Sequence, residues 1–332
     1  MQVLKALSAA IAKSAGALSV WPAATRWPQR TVKLILPLGV GSGADIGARL
    51  IAAKLSANWR QPVVVENRPG MDGLVAADVF AEVRDDHTFF FGPASALTAH
   101  PYLHDELPYD PRDIAPIARV SATVVTVCVP TSLGVNSLPE LVAMARAQPD
   151  KLNWATTTGA MDLIFAGFLK SAGLHMVKIR YRDTVQAVSD VAEGRLQVYQ
   201  AALAVVRAQA QAGRVKIVAI TAAERAAVLP HVPTVAEAGF PALTFDGLVG
   251  IYGTRDMPVD LRGRIAADVK AALADPTVVT QLFAGGQVVV PGSAAEFAAA
   301  IETQRASVAK TAKVLGLKAA TGQFIAADSD LC

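Results

Sequence analysis

The sequence predicts an α/β protein built from two doubly wound lobes joined by crossing strands. Three observations carry this. Short runs of aliphatic and β-branched residues alternate with segments of helical period along nearly the whole chain, which is the grammar of βαβ units. The alternation restarts after Ile117–Val129, a β-rich run long enough to cross between lobes, and a second apolar run, Leu243–Tyr252, supplies a return. At 332 residues the chain also exceeds the usual size of one hydrophobic core. Residues 27–122 and 247–320 are therefore assigned to lobe 1 and residues 123–246 to lobe 2, with 1–26 a leader and 321–332 a tail.

In chain order, Lys5, the Ala/Leu/Ser-rich stretch from Ala6 and Trp21-Pro-Ala-Ala24 read as a secretory signal peptide whose mature chain starts near Thr25. Lys13 interrupts its apolar stretch, and an amphipathic N-terminal helix is the alternative reading. Thr31–Leu36, Ala44–Ala57 and Val63–Val65 then read strand, helix, strand. A right-handed parallel βαβ unit brings Gly39–Asp45 and Asn67–Gly73 together at the C-terminal edge of the sheet, where open α/β folds bind ligands. Leu74–Val83 has helical spacing, Thr88–Phe91 is a strand, and Gly92–His100 combines small residues with a helix start. The prolines of Leu107–Asp113 mark a loop.

In the second half-pattern, Ser137 with Glu140 forms a capping box before a helix over Leu141–Ala147. Leu152–Ala155 is a strand, and Thr156–Asp162 turns into a helix over Leu163–Ala172, mirroring Gly39–Asp45. Strands over Met176–Ile179, Leu196–Ala202 and Val215–Thr221 alternate with helices over Thr184–Ala192 and Val205–Ala212. Leu229–Pro241 is punctuated by proline, and Asp260–Ala274 is helical. Val288–Val290 is extended, and Ser293-Ala-Ala-Glu296 caps a last helix that runs towards Leu315.

Composition excludes several classes. Hydrophobic residues are 52%, charged residues 18% and the net charge +3, a balance of neither a disordered chain nor a nucleic-acid surface. No uninterrupted apolar stretch of spanning length occurs. Cys128 and Cys332 fit no metal or redox spacing, and Cys128 lies in an apolar run where burial is its expected role. His87, His100, His104, His175 and His231 lack zinc-site spacing. No Gly-x-Ser-x-Gly elbow or P-loop is present. Gly39-x-Gly41-x-x-Ala44 followed by Glu66 has the spacing of a dinucleotide fingerprint, so an NAD(P)-dependent oxidoreductase is the rival reading. Against it, Pro37 and Leu38 lengthen the turn and no hydride-transfer partner converges.

What recurs is a strand end giving a small-residue turn. Such a turn leaves amide N–H groups unpaired at a helix N-terminus, where they attract a carboxylate through hydrogen bonds and the helix dipole. The candidate contacts are Leu38, Gly39, Gly41, Ser42, Gly43 and Asp45 in the first turn, and Ser95, Ala96 and Thr98 in the second. Thr156, Thr157, Thr158, Gly159 and Asp162 form the third, with Asp162 either receiving an ammonium or hydroxyl group or serving the helix start. An anion between turns of both lobes would favour closure.

Longer motifs carry a resemblance. Pro37-Leu-Gly-Val-Gly-Ser-Gly-Ala-Asp45 with Ala48-Arg49, Gln61–Gly70, Asp85-Asp-His-Thr88, Leu107–Asp113 with Pro116, Tyr181-Arg182 with Ala187, Asp190 and Gly194, and Val232–Gly239 are similar to motifs of one family. The chain resembles the tripartite tricarboxylate transporter substrate-binding (Bug) family of periplasmic solute receptors. The resemblance implies a periplasmic-binding-protein (Venus flytrap) architecture and a monomeric receptor without cofactor or catalysis. It implies capture of a small organic acid and delivery to a two-component membrane permease, or, as an alternative, to a signalling partner. It also implies that Leu38–Asp45, Gly92–Thr98 and Thr156–Asp162 line the cleft, and it brings Tyr199 into the candidate set. Departures fall at Gly41-Ser42, Met71-Asp72, Arg180, Asp183 and Gln186. Around Tyr199–Leu203 the family's Phe with Asp or Asn is missing.

Overall fold

The computed structural model describes residues 27–83, 85–181 and 184–320, so the leader reading of 1–26, the tail 321–332 with Cys332, and Arg182 and Asp183 lie outside the described residues. The strands are Val32–Leu36 (β1), Val63–Asn67 (β2), Thr88–Pro93 (β3), Ile114–Thr123 (β4), Val125–Pro130 (β5), Asn153–Thr156 (β6), Val177–Lys178 (β7), Val198–Ala202 (β8), Val215–Ile220 (β9), Gly247–Thr254 (β10) and Gln287–Gly292 (β11). They make two sheets, β11-β4-β10-β3-β1-β2 and β7-β6-β8-β5-β9, the two-lobed α/β arrangement that the alternating pattern predicts.

β1 lies between β2 and β3, parallel to both, and every side chain of it except Lys33 is buried. That is why its sequence, Val-Lys-Leu-Ile-Leu, is an almost continuous apolar run. The helix Gly43–Trp59 links β1 to β2 and lays Ala44, Ala48, Ile51, Ala52 and Leu55 on the sheet. Both sheets are mixed rather than wholly parallel. The chain leaves the first sheet along β4 and re-enters it along β10, so these neighbours run antiparallel, as do β10 and β3. β5 likewise enters the second sheet between β8 and β9, antiparallel to both. The predicted crossing strand Ile117–Val129 is broken at Val124, whose amide donates to Gly286 and whose carbonyl accepts from Leu203.

One helix goes beyond the expected pattern, and an expected one joins the two lobes. Pro276–Ala284, which the pattern reading leaves unassigned, is capped by Asp275, whose carboxylate accepts from the Thr277 amide, and opens on Pro276, a start signal present in the sequence. The last helix, Ala294–Leu315, has the predicted capping box at Ser293 and Glu296. Its early residues Phe297 and Ile301 join the core of the first sheet, whereas Val308 joins that of the second. It crosses the helix Gly159–Ala172 at Gly167, where an added Cβ would stand 2.2 Å from the Thr311 methyl group. The final helix thus straps the two lobes together.

Candidate functional site

The turn after β1 is shaped by its own residues. Gly41 has φ +85, a conformation that favours glycine. The carboxylate of Asp45, 2% exposed, accepts from the Gly41 amide at 2.9 Å, the Asn67 side-chain amide at 2.9 Å and Arg49 Nε at 3.1 Å. Burial opposes ionisation of Asp45, but the bonds from Arg49, Gly41 and Asn67 outweigh it and hold the carboxyl below its usual range. Asn67 also donates to the Leu38 carbonyl at 2.9 Å, which ties the turn to the end of β2. With Asp45 facing inward, the amides of Gly39, Val40, Gly43 and Ala44 have no protein acceptor among the described residues.

These residues line a cavity of about 710 Å³ formed by elements of both sheets and by the segments that cross between them. Of the predicted contacts, Leu38, Gly39, Gly41, Ser42 and Gly43, then Ser95, then Thr157 and Thr158 lie on its wall. The three turns therefore share one hollow. Ser95 stands at the start of the short helix Ser95–Thr98, and Thr158 caps the helix Gly159–Ala172 by accepting from the Met161 amide. The amides of Thr158 and Ala160 are without a protein acceptor among the described residues, and both residues line the cavity.

The other candidates lie off the wall. Asp45 is the internal clamp just described. Ala96 and Thr98 are buried; the Ala96 carbonyl accepts from the Tyr109 hydroxyl, and Thr98 donates to Gln304 at 2.9 Å. Thr156 donates to Asp162 at 2.7 Å, and Asp162 pairs with Lys178 at 2.6 Å, which occupies both its oxygens within the second lobe. The Gly159 amide donates to Asp72 of the first lobe at 2.9 Å. Tyr199, 1% exposed, lies in the second-lobe core with Cys128 and Ala155. Cys128 is fully buried, its thiol pushed up to about 12 by desolvation.

Asp72 and its neighbours form a second polar cluster where the lobes meet. Desolvation between the lobes, opposed by the Gly159 amide and reinforced by the Asp162 charge, pushes the Asp72 carboxyl up to about 6. Because the residue as a whole still faces water, solvent screens much of this effect. The buried His100 ring bridges the Tyr109 hydroxyl at 2.7 Å and the Asp72 carbonyl at 3.2 Å. Burial, then the nearby His104, lower its pKa to about 4 despite the Asp72 carbonyl.

The pattern reading misses two glutamines on the cavity wall. Gln287 bonds Ser121 at 3.0 Å and Thr123 at 2.9 Å, at the end of β4. Gln304 donates to the Asp246 carbonyl at 2.6 Å, just before β10. Each fastens one of the two crossing segments. Gln304 had a signal, since it falls on the buried stripe of Phe297, Ile301 and Val308 in the last helix. Glu66, the acid of the dinucleotide spacing, pairs instead with Arg68 and Lys33. Among the described residues no group of three or more His, Cys, Asp or Glu is placed to hold a metal ion, and no helix is long and apolar enough to cross a membrane.

Two mixed α/β lobes around an amide-lined cavity define the class of the two-lobed periplasmic-binding-protein fold. A family model described as "Tripartite tricarboxylate transporter family receptor" matches residues 47–317. Among relatives, a UPF0065 protein of Bordetella bronchiseptica is 29% identical over 307 residues, 91% of each chain. Among solved structures, Rpa4515 of R. palustris with adipate has a TM-score of 0.79 at 29% identity, covering 88% of this chain and 99% of that one. A structure described as a periplasmic transporter has a TM-score of 0.78 at 27% identity, with the same coverage. The chain belongs to the tripartite tricarboxylate transporter (TctC, or Bug) receptor family, whose members are transport receptors rather than enzymes.

Proposed function

We propose that this protein, exported to the periplasm, captures a small organic carboxylate in the inter-lobe cavity through backbone amides and delivers it to the membrane components of a tripartite transporter. The observation that carries this reading is that the amides of Gly39, Val40, Gly43 and Ala44, and across the same cavity those of Thr158 and Ala160, have no protein acceptor among the described residues. Both groups sit at helix N-termini, where N–H donors and the helix dipole together favour an anion without a cationic side chain. The adipate in the related Rpa4515 structure supports an acid as the ligand. Residues 27–122 with 247–320 act as one body and 123–246 as the other, hinged at the crossing segments beside Val124 and Asp246.

The test is a thermal-shift and calorimetry screen of the purified mature chain against organic acids and their methyl esters. An acid that raises the melting temperature while its ester does not supports amide recognition; equal affinity of acid and ester refutes it. Export is checked by fractionation, with a cleaved chain in the periplasm expected and an uncleaved cytosolic chain excluding it.

A further inference from the structure

The two faces of the second sheet are built differently. On the face covered by the helix Gly159–Ala172, the hydrophobic core is shared between the lobes. Ala99, from the first-lobe segment after β3, and Val308, from the last helix, are buried in it, and Tyr102, Leu103 and Leu315 pack against it. At Gly167 the Thr311 side chain of the last helix fills the place a Cβ would take. On the opposite face, covered by the helices Thr184–Ala192 and Leu203–Gln211, the core around Cys128, Val191, Tyr199 and Val206 is drawn entirely from the second lobe. Interiors are close-packed, and pulling shared apolar surface apart returns it to water, so a lobe rotation that leaves the first face packed costs least.

On the unshared face a polar contact bridges the lobes. Arg207, on the helix Leu203–Gln211, reaches into the first lobe and donates from its guanidinium to the carbonyl of Phe283, at 3.3 Å, and to that of Ala284. Those carbonyls end the helix Pro276–Ala284, where the last C=O groups lack intrahelical partners and the negative end of the dipole favours a cation. Phe283 itself is 41% exposed, so water reaches the contact and can take its place when the lobes part. Nothing replaces the buried apolar contacts of the other face in that way.

We infer that the lobes pivot on the shared core beside Gly167 and part on the opposite face, where Arg207 is the catch that holds them together. This goes beyond the ligand reading and does not depend on which acid is bound. The parting side carries the helix Thr184–Ala192, whose Val185, 78% exposed, stands on the cavity wall, so a ligand enters and leaves past that helix. Arg207 lies off the wall. It is a positioning residue that acts through the angle between the lobes, and its bonds add to the joined state alone.

The experiment measures spin-label distances in the ligand-free mature chain carrying Cys332→Ser, with one label pair on each side. Ala208→Cys with Val279→Cys spans the catch, and Lys170→Cys with Val314→Cys spans the pivot; all four positions are exposed. Arg207→Gln is expected to raise the ratio of long to short distances across the catch about fivefold. The pivot pair is expected to stay narrow and unchanged, and the melting temperature to hold. Arg207→Lys, which still donates to a carbonyl, is expected to recover most of the wild-type distribution. A catch pair indifferent to Arg207→Gln, or a pivot pair that broadens with it, overturns this inference. Failure of organic acids to bind would refute the carboxylate reading and leave this one standing.

Discussion

Ser42-Gly-Ala-Asp45 and Thr158-Gly-Ala-Met-Asp162 are nearly the same sentence: a hydroxyl cap, Gly-Ala, then an acid in the first turn of a helix. The structure uses them differently. In the first, the acid stands at the third helical position and folds back to clamp the Gly41 amide, Asn67 and Arg49, leaving the Gly43 amide without a protein acceptor among the described residues. In the second, one added residue turns the acid about 100° around the helix, where it meets Thr156 and Lys178, and the Gly159 amide is taken by Asp72 from the other lobe. The first turn is built inward and offers donors outward. The second gives its leading donor to an inter-lobe clasp, and the Thr158 and Ala160 amides, on the cavity wall, have no protein acceptor among the described residues.

The largest expected effect breaks the first turn's role without touching its frame. A Cβ at Gly39 would meet no atom within 4 Å, so Gly39→Leu fills cavity space at no cost to packing. Its ligand affinity in calorimetry is expected to fall more than about a hundredfold, a loss of about 2.7 kcal/mol, with an unchanged melting temperature. Gly43 is the less clean probe, because a Cβ there would stand 2.7 Å from Gln287 Nε2 and 2.8 Å from the Gly285 carbonyl. Unchanged affinity in Gly39→Leu would remove the first turn from the site.

Next in size, the two acids should differ in stability. Asp45→Ala strips a buried acceptor from three donors and is expected to cost about 3 kcal/mol in denaturant unfolding. Asp162 and Lys178 each keep about a third of their side chains in water, at 30% and 32%, so Asp162→Ala is expected to cost less than about 1 kcal/mol. Equal costs would mean that the two turns are structurally equivalent after all.

Acid then probes the inter-lobe clasp. His100 is neutral when folded and its pKa is depressed to about 4 from 6.5, so protonation favours the unfolded chain. Its burden is absent above pH 6.5, grows as pH falls, and saturates below 4 at up to about 3 kcal/mol. Stability measured from pH 7 to 4 should decline less in His100→Gln. Asp72 acts with the opposite sign: its carboxyl is raised to about 6 where the lobes meet, so protonation favours the joined arrangement below that pH and the advantage is lost as pH rises through 6. Because water reaches the residue, this is the smallest effect, a few-fold in ligand affinity at most between pH 7 and 5, and Asp72→Asn should abolish it. Affinity in wild type that falls on acidification would reverse the assignment.

Much of the fold is legible locally. The run Val32–Leu36, the caps Ser42, Ser137, Thr158 and Ser293, and the alternation on both sides of Val124 each depend on a few neighbouring residues. The antiparallel setting of β4 and β10 follows only once the chain must leave and re-enter one sheet. Tyr199 is a candidate through the family resemblance alone, and its strand lies in the second-lobe core with Cys128 and Ala155. Gln287 finds Ser121 and Thr123 across more than 160 positions of chain, a pairing no window of sequence contains.

By itself, then, the sequence determined the elements, their caps and the amide-bearing turns, because helical period, strand alternation and capping are satisfied within a turn or two of backbone. Tertiary structure alone decided which amides stay open. Asp72 reaches Gly159 across 87 positions, and the last helix meets the second lobe at Gly167. Contacts of that kind exist only after the lobes have closed on each other, so the free donors that make a site are those that no distant residue has claimed.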